Sequence, residues 1–315
     1  MNILFVSIGN QVDYQCDCLF HGLTCLENVN VYILNEYRYM FEGNSSDYLL
    51  QQYGMGFTIT NRISLSEQHI HTLKEAEENI RSRFYDIVIY GSIFRCNTLL
   101  KIVFQYYDKN KIIFIDGEDE DFAIRCIPRR YLPQTRRTIK LPNIYIRKRY
   151  KAIELSQKGV YFKRELREKD RIYFLPISFA IPKENIVNEL SSKQVFQATI
   201  IPGKRDTYIY TTEEDYYRGY QIAQYGITMK KGGWDCMRHY EILANSCIPY
   251  FPEINDCPST TMVPFPKHLI VETNNLYKKN GALDREYEFY ANCLLAYTKE
   301  FLTTEKLAQY VLSFI

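Results

Sequence analysis

The chain lacks most of the features that would classify it at a glance. It has a single Trp among 315 residues, a formal net charge of only +2, and no apolar run long enough to cross a bilayer. The near-neutral balance excludes bulk electrostatic attraction to nucleic acid, which needs a large excess of cations. There is no G-x-G-x-x-G and no Walker A signature, and neither an internal repeat nor a low-complexity tract. Nine cysteines, an odd number at irregular spacing, form no compact disulfide framework. They read as free, partly buried thiols of a reducing compartment. Cys16, Cys18, His21 and Cys25 could be drawn as a metal site, but the paired C-x-x-C knuckles of strong zinc motifs are missing. The opening MNILFVSIG has no basic n-region and reads as a first core strand, not a signal peptide. The expected location is the cytoplasm, with peripheral contact to a membrane left open.

What is present is an ordinary globular composition, 46% hydrophobic and 24% charged, on a length that fits two domains each burying a core. The 28 tyrosines suit half-buried strands and polar clefts. In the first half, short apolar runs without polar alternation are separated by helical patterns. Strands are expected at Ile3 to Ser7, Val29 to Leu34, Asp86 to Tyr90, Lys111 to Ile115, Val160 to Phe162 and Ile172 to Leu175. Helices are expected at Cys16 to Leu26, at Ser64 to Arg83 with Glu67 at capping-box spacing, and at Asn97 to Tyr107. Such strands imply a parallel sheet covered on both faces, a doubly wound α/β domain. Pro176 to Pro182 reads as the exit, with the boundary near residues 180 to 195. We assign 1–182 to an N-terminal Rossmann-like domain and 183–315 to a second one. In the second, strands are expected at Ala198 to Ile201, Tyr225 to Met229, Cys247 to Phe251 and Leu269 to Glu272. Its helices are expected at Glu213 to Gln224, Cys236 to Asn245, Arg285 to Thr298 and Thr304 to Phe314.

The segment from Lys230 to Glu253 concentrates the chemistry. Lys230 and Lys231 follow a buried strand. Gly232 and Gly233 permit a tight turn and close approach of a ligand. Trp234 could wall the site, and Asp235 is a plausible N-cap for the next helix. Free N–H groups and the dipole at that helix start favour a diphosphate, to which Arg238 can add a bidentate contact. Glu241, three residues on, shares its face and could accept hydrogen bonds from ribose hydroxyls. A plain amphipathic helix with a surface Arg–Glu pair is the alternative. His239 points to another face and reads as structural.

The run from Tyr216 to Phe251 resembles the donor-binding half of exostosin-like and related GT-B glycosyltransferases. These carry a Tyr-rich helix, a strand, a Gly turn and R-x-x-E-A-x-x-x-G-C-I-P, matched here by Arg238, Glu241, Cys247, Ile248 and Pro249. Ser246 and Ile242 depart from it. The match covers about 60 residues if the segment from Pro264 to Glu272 is counted as a strand. The resemblance implies two Rossmann-like domains facing a cleft, GT-B-like, with a nucleoside-diphosphate sugar held by the second. Arg238 would meet the diphosphate and Glu241 the ribose. Many retaining enzymes of this fold carry another Glu eight residues earlier, where this chain has Gly233, so an inverting reaction is weakly favoured.

Inversion needs a general base. Asp116, Glu118 and Asp119, in an acidic run after an apolar strand, are the catalytic candidates. That run could instead be a solvated turn, or a D-x-D metal motif using Asp119 and Asp121. Lys163 and Arg164 could meet donor phosphate or an anionic acceptor, and Lys204 and Arg205 the donor. The basic stretch from Arg125 to Lys151 is a solvated face or a surface for an anionic acceptor or membrane. The expected activity is transfer of a sugar to a hydroxyl of a glycan or lipid-linked acceptor, with no metal cofactor. A metal-dependent transferase and a non-catalytic glycan- or nucleotide-binding protein are the rivals.

Overall fold

The computed structural model describes residues 1–35, 38–64, 69–122, 141–278 and 285–315. The first sheet has seven parallel strands: β1 (Asn2–Val6), β2 (Asn30–Leu34), β3 (His69–His71), β4 (Ile87–Tyr90), β5 (Ile112–Asp116), β6 (Val160–Lys163) and β7 (Leu175–Pro176). Their order is β3-β2-β1-β4-β5-β6-β7. In β1, Ile3 to Val6 are fully buried, and β4 and β5 are buried along their whole length. Continuous apolar strands of this kind require cover on both faces. It comes from α1 (Tyr14–Thr24), α2 (Ser46–Leu50), α3 (Leu73–Arg81), α4 (Leu100–Tyr106) and α5 (Leu141–Ser156). Strand order reverses at β1/β4, so the carboxyl ends of β1 and β4 open onto the crevice where doubly wound sheets receive ligands.

The second sheet is smaller: β8 (Val195–Gln197), β9 (Ala223–Ile227) and β10 (Ile248–Tyr250), parallel, in the order β10-β9-β8. α6 (Glu213–Gln221) and α7 (Met237–Ala244) are its crossovers, and α8 (Lys267–Lys278), α9 (Arg285–Phe301) and α10 (Thr304–Leu312) follow. The architecture is α/β, with two Rossmann-like sheets facing a cleft.

The chain crosses between the sheets twice. Ile181 N–H donates to the Leu302 carbonyl (2.9 Å), and Thr304 N–H donates to that of Ile181 (3.1 Å). α10 thereby returns to pack on α1. Gly22 permits the contact, because a Cβ there would overlap the Thr304 carbonyl. One buried apolar cluster runs from β1 and α1 through Ile177 and Ile181 into Met237, Tyr240 and Leu243 of α7 and Leu294 of α9. The two sheets therefore share a core.

Several expected elements move. The helix expected from Ser64 starts at Leu73, and its capping box is Thr72 with Glu75, after the short β3. Glu67 lies outside the described residues. Ala198 to Ile201 follows β8 instead of forming it, because pairing to β9 begins at Val195. Leu269 to Glu272 is helical, inside α8. There Ile270 and Leu276 are buried in a helix packed on β10, and a short apolar run such as Leu269 to Val271 cannot by itself be told from a strand.

Candidate active site

A cleft of about 1430 Å³ lies between the carboxyl ends of the two sheets. Its first wall is built from the loops after β1 (Asn10 to Tyr14), β4 (Arg95), β5 (Gly117 to Glu120) and β6 (Arg164), and from Gln51, Gln52, Gly54, Met55 and Phe57. Its second wall comes from the loop after β8, with Arg205, Tyr208 and Tyr210, and from Lys231 to Glu241 after β9.

Tyr208 organises the second wall. Arg238 Nη2 donates to its hydroxyl (3.0 Å), and Lys231 Nζ lies 3.4 Å from the same oxygen. Both cations also stand over the ring, at 5.4 and 5.8 Å from its centroid. Among the described residues, Arg205, Lys231 and Arg238 have no carboxylate partner within salt-bridge distance. Arg238 Nε is buried without a hydrogen-bond partner. Three cations lining one wall, none of them in a salt bridge, form a site for an anion.

Glu241 lines the same wall but is more enclosed than a helix-surface carboxylate. Thr58 Oγ1 donates to its Oε1 (2.5 Å) and the Tyr216 hydroxyl donates to its Oε2. Burial pushes its pKa up against those bonds and the Arg238 charge. Thr58 has φ +79°, a conformation costly for a β-branched residue. Tyr217 and Asn185 hold it there: its Oγ1 lies 2.7 Å from the Tyr217 hydroxyl, and its carbonyl accepts from Asn185 Nδ2 (3.1 Å). Glu241 thus joins the first-sheet side of the cleft to the second.

The glycine turn differs from expectation. Neither Gly232 nor Gly233 has a positive φ. They are required for space: a Cβ on Gly232 would overlap the Asp119 carboxylate, and one on Gly233 the Glu165 carboxylate. Glu165 accepts from the N–H groups of Trp234 (3.0 Å) and Asp235 (3.0 Å), so two of the donors expected to hold a diphosphate are taken by a carboxylate from the opposite sheet. Arg164 completes this clamp. It donates to the carbonyls of Gly117 (2.8 Å) and Asp235 (2.7 Å) and pairs with Glu165 (3.3 Å) and Asp119. Asp235 is not the N-cap of α7; Cys236 holds that position. The Asp235 carboxylate instead accepts from Phe179 N–H (2.8 Å), and burial raises its pKa to about 6 despite Arg164. His239 braces the turn, with Nδ1 2.8 Å from Thr228 Oγ1 and Nε2 2.9 Å from the Trp234 carbonyl. Burial lowers its pKa to about 4, so it is neutral.

The acidic run divides. Asp116 is buried behind the cleft, accepting from Tyr161 (2.9 Å), Lys163 (3.1 Å) and Glu118 N–H (3.2 Å). It does not line the cleft, and neither does Lys163, which is buried beneath it with its ammonium 4.2 Å from the Phe122 ring centroid. Neither is placed to act as base or as phosphate ligand. Glu118 and Asp119 do line the cleft, Asp119 with its side chain 60% exposed. Glu118 pairs with Arg95 (2.8 Å), which also pairs with Asp13 (3.2 Å).

Trp234 and Lys230 turn away from the lining. The ammonium stands 4.3 Å from the indole centroid, and the indole faces Phe251. Lys204 shares the Arg205 loop without lining the cleft. Arg164, Arg205, Gly232, Gly233, Asp235, Arg238 and Glu241 are brought together. Sequence reasoning missed Tyr208, Thr58 and Asp13. Asp13 was findable, since it follows the first strand at the switch point and caps α1 through Cys16 N–H (3.3 Å).

Among the described residues, no group of three or more His, Cys, Asp or Glu is placed to hold a metal ion. Cys18 Sγ contacts the Ala180 carbonyl (3.1 Å), and His21 pairs with Thr304 (2.9 Å) and Glu184 (3.1 Å), so the cysteine–histidine segment serves packing between α1 and the crossovers. No helix among the described residues is long and apolar enough to cross a membrane. Of the basic stretch, Arg125 to Lys140 lies outside the described residues. Lys148 pairs with Glu120 (2.9 Å), and Arg149 with Asp170 (2.7 Å).

No protein-family model matches the chain, the exostosin-like family included, and no curated protein matches it. The segment from Pro264 to Glu272, counted as a strand in that resemblance, leads into α8 instead. Among solved structures the chain is similar to Anabaena HepE, determined with UDP and glucose: 8% identity, TM-score 0.48, covering 99% of this chain and 98% of that one. A structure of HepE with UDP-glucose is similar at 8% identity and a TM-score of 0.49, over 99% and 98% of the two chains.

Proposed function

We propose that this chain is a glycosyltransferase that moves a sugar from a nucleoside-diphosphate sugar to an acceptor hydroxyl. Residues 1–182 would receive the acceptor and 183–315 the donor. The observation that carries the reading is the wall where Lys231 and Arg238 meet Tyr208 and Arg205 lines the cleft, none of the three cations in a salt bridge, opposite a carboxylate-bearing wall in the same cleft. Charge builds on the diphosphate as the glycosidic bond breaks, and fixed cations in a partly desolvated cleft stabilise it. They supply the compensation a divalent metal would otherwise give, which supports a metal-independent reaction. Glu241, already held by Thr58 and Tyr216, has lone pairs left to accept a ribose hydroxyl.

The reaction is a single displacement with inversion. Asp119 or Glu118 takes the acceptor proton as its oxygen bonds to the anomeric carbon, while the bond from that carbon to the diphosphate breaks. Gly233 supports this reading, since Glu165 fills the space a side chain at 233 would need. The test is release of nucleoside diphosphate from a panel of sugar nucleotides, with and without chelator, and product anomeric configuration by NMR. If no sugar nucleotide raises thermal stability and none is cleaved or transferred, the reading is wrong.

A further inference from the structure

The two walls of the cleft differ in charge, and from this we infer that the acceptor is an uncharged, hydroxyl-rich saccharide, not a phosphorylated or pyrophosphate-linked one. The inference rests on the proposed sugar transfer and specifies its second substrate.

The first wall presents four carboxylates, those of Asp13, Glu118, Asp119 and Glu120. Its two cleft-lining cations, and Lys148, which pairs with Glu120 (2.9 Å) without lining the cleft, are all committed to carboxylates. Arg95 lies between Asp13 (3.2 Å) and Glu118 (2.8 Å). Arg164 is spent on the Gly117 and Asp235 carbonyls and on Asp119 and Glu165. A phosphate on the acceptor would therefore lie against an acidic surface, or compete with the donor for Arg205, Lys231 and Arg238.

Neutral polar groups complete the wall. Gln11, Gln51 and Gln52 line the cleft, and no hydrogen bond ties their carboxamides to the described residues. Each offers two N–H donors and a carbonyl acceptor. Sugar hydroxyls, which both donate and accept, satisfy amides and carboxylates together. An anionic group satisfies only the amide donors and is repelled by the carboxylates. Gln51 and Gln52 come from the segment just after α2, on the chain side that also carries Thr58, so the acceptor surface and the Glu241 contact belong to one loop.

The experiment uses the full chain saturated with whichever of UDP, ADP or GDP binds. Binding of neutral oligosaccharides, and of the same oligosaccharides bearing phosphate, sulfate or uronate, is followed by saturation-transfer NMR and titration. Neutral saccharides should bind, their anionic counterparts about tenfold or more weakly, and added salt should narrow the gap. The double variant Gln51→Ala, Gln52→Ala should weaken neutral saccharide binding about fivefold, the loss of one or two ordinary hydrogen bonds, and leave nucleotide affinity unchanged. Equal or tighter binding of the anionic series overturns the inference, as does nucleotide binding with no saccharide bound at all. If none of the three nucleotides binds, the transfer reading itself fails, and the acceptor assignment falls with it.

Discussion

Arg238→Ala separates binding from folding at the donor wall. The guanidinium gives one N–H to the Tyr208 hydroxyl and has no carboxylate partner among the described residues. Its loss therefore breaks no salt bridge, Glu241 keeps its hydrogen bonds from Thr58 and Tyr216, and Tyr208, 37% exposed, can turn its hydroxyl to water. The stability cost should be that of packing lost along the side-chain stem, about 1 kcal/mol. The binding cost should be larger. A hydrogen bond to a charged partner contributes about 1.5–3 kcal/mol, so nucleoside diphosphate affinity should fall about ten- to a hundredfold. Arg238→Lys keeps the charge but not the fork and should fall between. The assay is calorimetric titration with the best-binding nucleoside diphosphate and, in parallel, its nucleoside, at two salt concentrations. The nucleoside should bind wild type and variant alike, and the variant should show the weaker salt dependence. A folded variant with unchanged diphosphate affinity, or with equal losses for nucleoside and diphosphate, would refute a phosphate role for this wall.

Glu165→Gln should destabilise by about 3 kcal/mol in urea unfolding, because it breaks a buried pair with Arg164 and removes an acceptor from the Trp234 or Asp235 N–H; a loss under 1 kcal/mol would remove the clamp from the account. Asp235 has a folded pKa of about 6 against an ordinary 3.8, so its ionisation opposes folding: stability is greatest below the ordinary value and declines as pH rises toward about 6, by about 3 kcal/mol in all. Asp235→Asn, which keeps an oxygen for Phe179 N–H, should abolish that decline, and stability curves for the two proteins that run parallel across this range would contradict it. Gly22→Ala should cost about 3 kcal/mol or more by pushing α10 off α1, read as a lowered melting temperature; an unchanged melting temperature would mean that the two helices separate freely.

Most of the first sheet was legible because its strands are buried on both faces, and a run such as Ile112 to Asp116 has few other ways to fold. The second half was less so. Val195 and Phe196 of β8 are exposed, so the apolar signal fell on the buried Ala198 and Ile200 just beyond it. In α8 three consecutive apolar residues, Leu269 to Val271, hid a helical period. Arg238 and Glu241 were legible from their spacing on one helix face, and both line the cleft. Tyr208 was not, since one tyrosine among 28 carries no local mark of the two cations that meet it.

The glycine turn shows where local sequence reasoning stops. Two glycines before a helix suggest backbone donors kept free for a diphosphate, and that inference is sound until another part of the chain reaches the same donors. Glu165 does so from the end of β6, and nothing in the sequence around Gly232 and Gly233 could announce it. The consequence is chemical. With those two N–H groups occupied, phosphate binding passes to the side chains of Arg205, Lys231 and Arg238. Side-chain cations at a partly exposed wall are more open to salt screening than backbone donors at an enclosed helix start. A donor affinity that falls steeply with ionic strength is therefore expected of this cleft, and a salt-insensitive one would return the diphosphate to the turn and require Glu165 to move aside.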